Sequence, residues 1–291
     1  MATIAESRLA RPARPSRLVP RLAVAALLAL FVVALLTTNL RLDRLLGLPG
    51  TLAGILREML FFPEWGYFPT AWEGMVESVQ MAWFGTIIGA LLSFPLGFLG
   101  AKNVSGAVVS NVVRQLLNAI RAFPTLVLAI LLIPLFGLGS FTGAVAIGLH
   151  SIGTLGKLTA ELIEGIDRGP VEAARAAGGD QGEVLRWGVV PQVLPEIVAF
   201  WIYRFELNVR ESAILGVVGA GGIGVSLVNT INYGRYGKAG MALVVVVATV
   251  IILDTLSARL RRRIIEGGEG PAAGALMEEP ELAELAAADV R

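Results

Sequence analysis

Three glycines in the stretch VVGAGGIGVSL have a spacing that could hold a nucleotide. Gly219, Gly221 and Gly224 fit G-x-G-x-x-G, which binds a dinucleotide pyrophosphate at a helix N-terminus within a βαβ unit. That fold also needs an acidic residue about 20 positions further on, to hold the ribose. No Asp or Glu occurs between Glu211 and Asp254. A dinucleotide site is therefore excluded, and the glycines serve another purpose.

The same glycines, with Gly222, permit positive φ and close approach of backbones. Non-helical backbone inside a membrane is tolerated only where protein or a water-filled cavity shelters it, and broken helices are typical of transporters. A flexible external loop and small-residue helix packing are the alternatives.

Other residues that could do covalent chemistry are scarce. The chain has no cysteine and one histidine, His150, so thiolate chemistry and Cys/His metal sites are not expected. Neither Gly156-Lys157 nor Gly237-Lys238 is followed by Ser or Thr, so no Walker A loop is present. We expect no enzyme activity, no cofactor and no metal, and any ATP must be hydrolysed by another chain.

Charges inside an apolar stretch are the remaining candidates for a site. Arg204, Glu206, Arg210 and Glu211 lie in or at the end of such a stretch, where each charge costs about 2.5–3.5 kcal/mol unless it is paired or faces water. Glu206 and Arg210 have the i, i+4 spacing of a helical ion pair. The four residues either neutralise one another and hold helices together or contact a passing anion.

Three further polar residues, His150, Lys157 and Glu161, can have a structural or a functional role. His150 is either a hydrogen-bonded interior residue or part of a transport path. Lys157 and Glu161 form a second i, i+4 pair, for which a structural role is expected.

The composition indicates which elements must position these residues. The chain is 55% hydrophobic and 16% charged, with a mean hydropathy of +0.71, whereas soluble domains have about 25% charged residues. Uncharged runs extend over Leu22–Leu40, Ser78–Ala101 and Ala122–Gly156. Because a bilayer core needs about 20 helical residues, we predict an all-α polytopic membrane protein.

Basic clusters before the first apolar run and after the last place both termini in the cytoplasm and require an even number of spans. Six transmembrane helices are predicted, with Gly137-Leu138-Gly139 separating the third from the fourth. A cleaved signal peptide is the alternative for the first run, but that run is long and no clear A-x-A site follows it. The predicted segments are a disordered basic arm 1–21, a first span 22–38, an external connector 39–74, a transmembrane domain 75–263 and a disordered acidic tail 264–291.

Residues 165–192 interrupt the spans with charge, and we predict a cytoplasmic pair of short helices there. Glu172 follows Pro170 in a first helix that Gly178 and Gly179 end. Asp180 and Glu183 have the spacing of a capping box. Pro191 and Pro195 are expected to end the second helix and turn the chain back into the membrane.

This loop carries a resemblance to a family. Glu172-Ala173-Ala174, Gly178 and Pro191 resemble the EAA motif of binding-protein-dependent ABC importer permeases, although Gly188 and Val190 stand where that pattern prefers Ile and Leu. GVVPQVLPE and the segment FELNVRESAILGVVGAGGIG (residues 205–224) are similar to phosphonate permeases. The resemblance covers about residues 70–263.

The resemblance implies a type I ABC importer permease fold in the cytoplasmic membrane of a bacterium, embedded in phospholipid and not bound to nucleic acid. It implies three partners: two copies of a separate ATPase, an external substrate-binding protein and a second copy of this chain. The substrate would be a phosphonate, with phosphate or phosphite as alternatives. The coupling residues would be Glu172, Ala173, Ala174, Gly178, Asp180, Glu183 and Pro191. The path or gate would include Arg204, Glu206, Arg210, Glu211, Gly219, Gly221, Gly222, Gly224 and His150. A stand-alone secondary transporter or channel is the rival from another class.

Overall fold

The computed structural model describes residues 18–37 and 42–266. The chain divides into two compact units, Met1–Ile55 and Leu56–Arg291. The predicted arm 1–21 and tail 264–291 lie mostly outside the described residues, and their described parts, 18–21 and 264–266, are helical.

The first unit holds helix α1, Leu18–Thr37, and most of α2, Leu42–Phe61. Helix α1 includes an 18-residue apolar window with a mean hydropathy of 2.2 and covers most of the predicted first span. Helix α2 occupies much of the predicted connector 39–74, which sequence reasoning had not assigned to a helix. Pro49 lies inside it.

The second unit is a bundle of helices. Its long helices are α3, Phe68–Gly100, α7, Ser140–Glu164, α10, Val190–Leu215, and α12, Tyr236–Glu266. The shorter ones are α4, Lys102–Ser105, α5, Ala107–Ala122, α6, Thr125–Phe136, α8, Arg168–Ala176, α9, Gln181–Glu183, and α11, Ile223–Asn232. A π-helical turn, Val184–Val189, precedes α10, and 3₁₀ turns lie at Trp65–Tyr67 and Gly216–Val218.

Helix α7 lies at the centre of this bundle, because small residues let its neighbours approach closely. A methyl group added to Gly85 of α3 would lie 2.6 Å from Cγ2 of Ile147, and one on Gly156 would lie 2.8 Å from Leu117 of α5. Gly89 likewise lies against Ser151. Close packing through small residues is typical of membrane helices, where no hydrophobic effect drives association.

Three helices in the described residues are long and apolar enough to cross a membrane, and five crossings result if each of two bent pairs is one span. The pairs are α5 with α6, bent by 88°, and α10 with α11, bent by 45°. Helix α7 is long enough with its 25 residues, but its glycines and polar residues lower its hydropathy. The expected six crossings and cytoplasmic termini therefore stay a prediction.

The break expected after the third span is confirmed, since α6 ends at Phe136 and α7 begins at Ser140. Gly137 and Gly139 have φ values of 80° and 138°, which side chains other than glycine rarely adopt.

Candidate functional site

The predicted pair of short helices is present and forms a hairpin of α8 and α9. Asp167 caps α8 by accepting a hydrogen bond of 3.0 Å from the N–H of Gly169, a cap that sequence reasoning missed. Gly178, with φ of 85°, ends the helix as predicted. The capping box is confirmed: Asp180 accepts from the N–H of Glu183 at 2.8 Å, and Glu183 accepts from the N–H of Asp180 at 2.9 Å.

Pro191 does not end the second helix, so that expectation was wrong. The chain continues from the π-helical turn Val184–Val189 into α10, and Pro191 lies in the first turn of α10. A proline is tolerated there because the first turn leaves its N–H positions unpaired. Pro195 also lies inside α10.

The hairpin is anchored to the bundle through apolar and polar contacts. Val171 of α8 and Leu185 pack on a buried cluster that includes Ile163 of α7 and Val193 of α10. The Gln192 side chain accepts from the N–H of Asp167 at 3.1 Å and donates to its carbonyl oxygen at 3.2 Å. Helix α8 is thereby held against α7 and α10.

Gly188 explains one departure from the EAA pattern. A methyl group at Gly188 would lie 3.0 Å from Cα of Val171, so a larger residue would push α8 away from the π-helical turn. Glu172, Ala173 and Gly178 are exposed, and Ala174 is half-buried. The EAA residues therefore lie on the accessible side of the hairpin.

A cleft of about 560 Å³ lies beside the hairpin. Glu164 of α7 lines it together with Arg168, Glu172 and Arg175 of α8. Glu164 accepts from the N–H of Lys102 at 2.8 Å and pairs with Arg114 of α5 at 2.6 Å. The start of α4 and the middle of α5 are thus joined to the C-terminal end of α7.

The first ionic network is centred on Arg204, which is buried in α10. Its guanidinium pairs with Glu211 at 3.1 Å and donates to Oγ of Ser151 at 3.1 Å. Glu211 also accepts from Oγ1 of Thr125 in α6 at 2.7 Å. Arg204 has Asn208 at i+4 and pairs instead with the carboxylate at i+7.

Asn208 extends this network to α3. It is fully buried and donates to Oγ1 of Thr86 at 2.8 Å and to Oγ of Ser151 at 3.1 Å. Sequence reasoning missed Asn208, Ser151 and Thr86, although amide and hydroxyl groups in apolar helices were a usable signal. The network joins α3, α6, α7 and α10.

The second ionic network joins α10 to α12. The predicted pair of Glu206 and Arg210 is confirmed at 2.8 Å. Glu206 also pairs with Arg261 at 3.0 Å, and Arg210 pairs with Asp254 at 2.5 Å. Asp254 and Arg261 were not predicted as partners, because nothing in the sequence shows how α12 faces α10.

His150 and Lys157 lie on α7. Nδ1 of His150 is 3.1 Å from the carbonyl oxygen of Phe123, next to the bend between α5 and α6. The predicted pair of Lys157 and Glu161 is confirmed, with 3.7 Å between Nζ and Oε1.

The glycine-rich segment forms a tight turn between α10 and α11. Gly219, Gly221 and Gly222 have φ values of 74°, 86° and 72°. Gly216 and Gly224 approach so closely that a side chain on either would overlap backbone. A role of these glycines in gating stays a prediction.

A bundle with apolar helices of membrane-spanning length, internal ionic networks and a protruding, capped hairpin defines the class of membrane transport subunits. The chain belongs to the family of binding-protein-dependent transport system inner membrane components, whose model matches residues 93–266. It is a permease subunit of an ABC transporter and not itself an enzyme, as the sequence predicted.

Three named relatives are similar to this chain over 41% to 81% of its length. The chain is 38% identical to the phosphite transport system permease protein PtxC of Stutzerimonas stutzeri over 239 residues, 81% of this chain and 84% of the relative. It is 44% identical to the phosphate-import permease protein PhnE of Mycolicibacterium smegmatis over 147 residues, 50% of this chain and 28% of the relative. It is 43% identical to the putative cryptic phosphonate transport system permease protein PhnE2 of Escherichia coli over 120 residues, 41% of this chain and 98% of the relative.

A solved structure supports the fold. A chain of the MetNI methionine ABC transporter, in inward-facing conformations, matches 67% of this chain and 98% of its own length with a TM-score of 0.58 and 24% identity. The expected type I ABC importer permease fold is thereby confirmed.

Proposed function

We propose that this permease subunit forms the path by which an ABC importer carries phosphonates or related phosphorus oxyanions across the cytoplasmic membrane of a bacterium. Relatives named for phosphite, phosphate and phosphonate transport support this substrate class. Phosphite or phosphate as the main substrate is the alternative, because an external binding protein would select the ligand.

The observation that carries the proposal is the anchoring of the α8–α9 hairpin to α10. The EAA residues Glu172, Ala173 and Ala174 lie on a short capped helix whose other side packs on α7 and α10. An ATPase that moves α8 would therefore move α10. Two copies of such an ATPase, an external binding protein and a second copy of this chain complete the proposed assembly.

The networks on α10 suit the passage of an anion. Arg204 and Arg210 are each paired with carboxylates, and a phosphorus oxyanion would compete with those carboxylates for the guanidinium groups. Partial neutralisation also favours release, because a path with strong uncompensated charge would hold its anion too tightly. A shift of α10 against α12 would change the pairs that cross between the two helices, Arg210 with Asp254 and Arg261 with Glu206, and we expect the path to open first to the outside and then to the cytoplasm.

Reconstitution of the chain with its ATPase and binding protein tests the proposal. We expect ATP-dependent uptake of radiolabelled methylphosphonate, phosphite or phosphate, and no flux by the chain alone. The Glu172→Lys variant should reduce uptake about tenfold or more while ATP hydrolysis continues, since about 1.4 kcal/mol of lost coupling is a factor of ten. Glu58→Lys, the same charge reversal on exposed α2, is the control. Uptake at the wild-type rate in Glu172→Lys would contradict the coupling role.

A further inference from the structure

Helix α5 has an exposed apolar face and an exposed polar face side by side. Val108, Val112 and Leu116 repeat every four residues and are 79%, 66% and 52% exposed, a stripe suited to lipid. Asn111, Gln115 and Asn118 lie about 100° around the helix from that stripe and are also exposed. Exposed amides inside a bilayer normally face water or protein and avoid lipid.

Arg121 extends the polar face of α5 and lies against α7. It packs beside Gly153 of α7, where an added methyl group would lie 3.1 Å from Cγ of Arg121. Gly153 is 11 residues from Glu164, which places Arg121 about 16 Å along α7 from the hairpin end. Arg121 is exposed and, within residues 42–266, has no ion-pair partner.

Arg114, the other arginine of α5, has the partners that Arg121 lacks within the described residues. Two turns earlier on the same helix, Arg114 pairs with Glu164 and donates to the carbonyl oxygen of Gly100 at 2.8 Å. An arginine at depth without such partners is costly unless water reaches it.

Helix α7 continues the polar surface beside Arg121. His150, Thr154, Lys157 and Glu161 have the 4-3-4 spacing of one helix face, and all four are at least partly exposed. The rest of α7 is largely buried. The surface runs from the Arg204 network, where His150 lies, down to the hairpin end.

We propose that this surface of α5 and α7 lines a water-filled exit path, called the lane below, through which the transported anion leaves toward the hairpin side. Arg121 is the cation of the lane without an ion-pair partner in the part of the chain that the structure describes, and Lys157 is a cation paired with Glu161. The substrate class rests on the proposed function, but the lane itself does not. According to this proposal, the hydrated anion on the hairpin side of the Arg204 network is contacted by Asn118, Arg121, Thr154 and Lys157.

Cysteine labelling tests the lane directly, because the natural chain has no cysteine. Asn118→Cys and Thr154→Cys are made in the full chain, assembled with its partners in membrane vesicles without nucleotide. Each variant is treated with an anionic or a cationic membrane-impermeant methanethiosulfonate. The rate at which the reagent modifies the variant is divided by the rate at which the same reagent modifies a free thiol in solution. Val112→Cys, on the apolar face of α5, is the matched control.

We expect both lane variants to react from the side that carries α8, and Val112→Cys to stay unmodified. The anionic reagent should be favoured by about threefold or more, since a charged cleft with low-dielectric walls concentrates counter-ions. Adding Arg121→Gln should abolish that preference, whereas Arg262→Gln, the same charge loss on exposed α12, should leave it. Lane variants that resist labelling, as they would beneath a second copy of the chain, overturn the proposal.

Equal reaction with both reagents would overturn the role of Arg121. If labelling follows the expected pattern while the wild-type assembly imports no phosphorus oxyanion, the lane stands and the proposed substrate class fails. The two conclusions are therefore separable.

Discussion

At the scale of single residues, Arg204 is the best test of the path. It is buried, and its only carboxylate partner in residues 42–266 is Glu211. Removing Arg204 leaves the carboxylate of Glu211, which is 28% exposed, without its ion pair. That loss costs about 3–5 kcal/mol in a fully buried pair and less where water reaches the remaining charge, whereas replacing both partners is often neutral. The pair therefore allows a structural role and a transport role to be separated.

We predict that Arg204→Ala lowers both the thermal stability of the purified assembly and its uptake. The double variant Arg204→Met/Glu211→Gln should recover most of the stability, because no charge is left unpaired, but little of the uptake. Melting temperature and initial uptake rate measure the two effects. If uptake recovers together with stability, Arg204 only holds helices together.

Arg210 tests the second network in the same way. We predict that Arg210→Ala reduces uptake several-fold, because Asp254 loses its only ion-pair partner in the described residues and Glu206 keeps Arg261. Uptake by vesicles is the measurement, with Arg259→Ala on the exposed end of α12 as the control. Unimpaired import in Arg210→Ala would assign this residue a structural role alone.

At the scale of elements, local chain geometry builds the hairpin of α8 and α9, which we propose to act as a lever. Gly178 lets the chain reverse with positive φ, and the Asp180–Glu183 box starts the second helix. The cluster with Ile163 and Val193 then binds the hairpin to the bundle. If α8 transmits a push from the ATPase, as we propose, we expect each of these contacts to be needed.

Gly178→Asp should uncouple the ATPase from transport. A residue with a side chain at the Gly178 position, where φ is 85°, is strained by about 1–2 kcal/mol. The new carboxylate would also repel the nearby carboxylate of Asp180. We expect membrane insertion and ATP hydrolysis to persist while uptake per ATP falls about tenfold. Gly169→Asp, in the first turn of α8 beside its cap, is the comparison for added charge alone. Wild-type coupling in Gly178→Asp would show that the turn has no mechanical role.

Many elements could be predicted from local signals, but helix α2 and the contacts between helices could not. The capping box, the break at Gly137 and the i, i+4 pair of Glu206 and Arg210 depend on neighbours in the chain, so the sequence was sufficient. The prediction that Pro191 ends a helix was wrong, because a proline is compatible both with the end of a helix and with its first turn. The partners of Arg204 and Arg210 on other helices depend on how helices rotate against each other, which no single sequence pattern records.

At the scale of the whole molecule, helix α10 connects the hairpin, the two ionic networks and the glycine-rich turn. Helix α10 begins at the hairpin, carries both ionic networks and ends at the glycine turn that leads into α11. A displacement applied at its first turn reaches the middle of the bundle directly. The family membership explains where the energy comes from, since a permease of this kind is driven by a partner.

The most direct test of the central claim is site-specific cross-linking of the hairpin to the ATPase. Ala173→Cys is exposed on α8, and Asn232→Cys is exposed at the end of α11 as a control. The account predicts that Ala173→Cys cross-links to the ATPase subunit, that nucleotide changes the yield, and that Asn232→Cys gives no such product. A hairpin that is reached only from the opposite side of the membrane, or that never cross-links to the ATPase, would contradict the account.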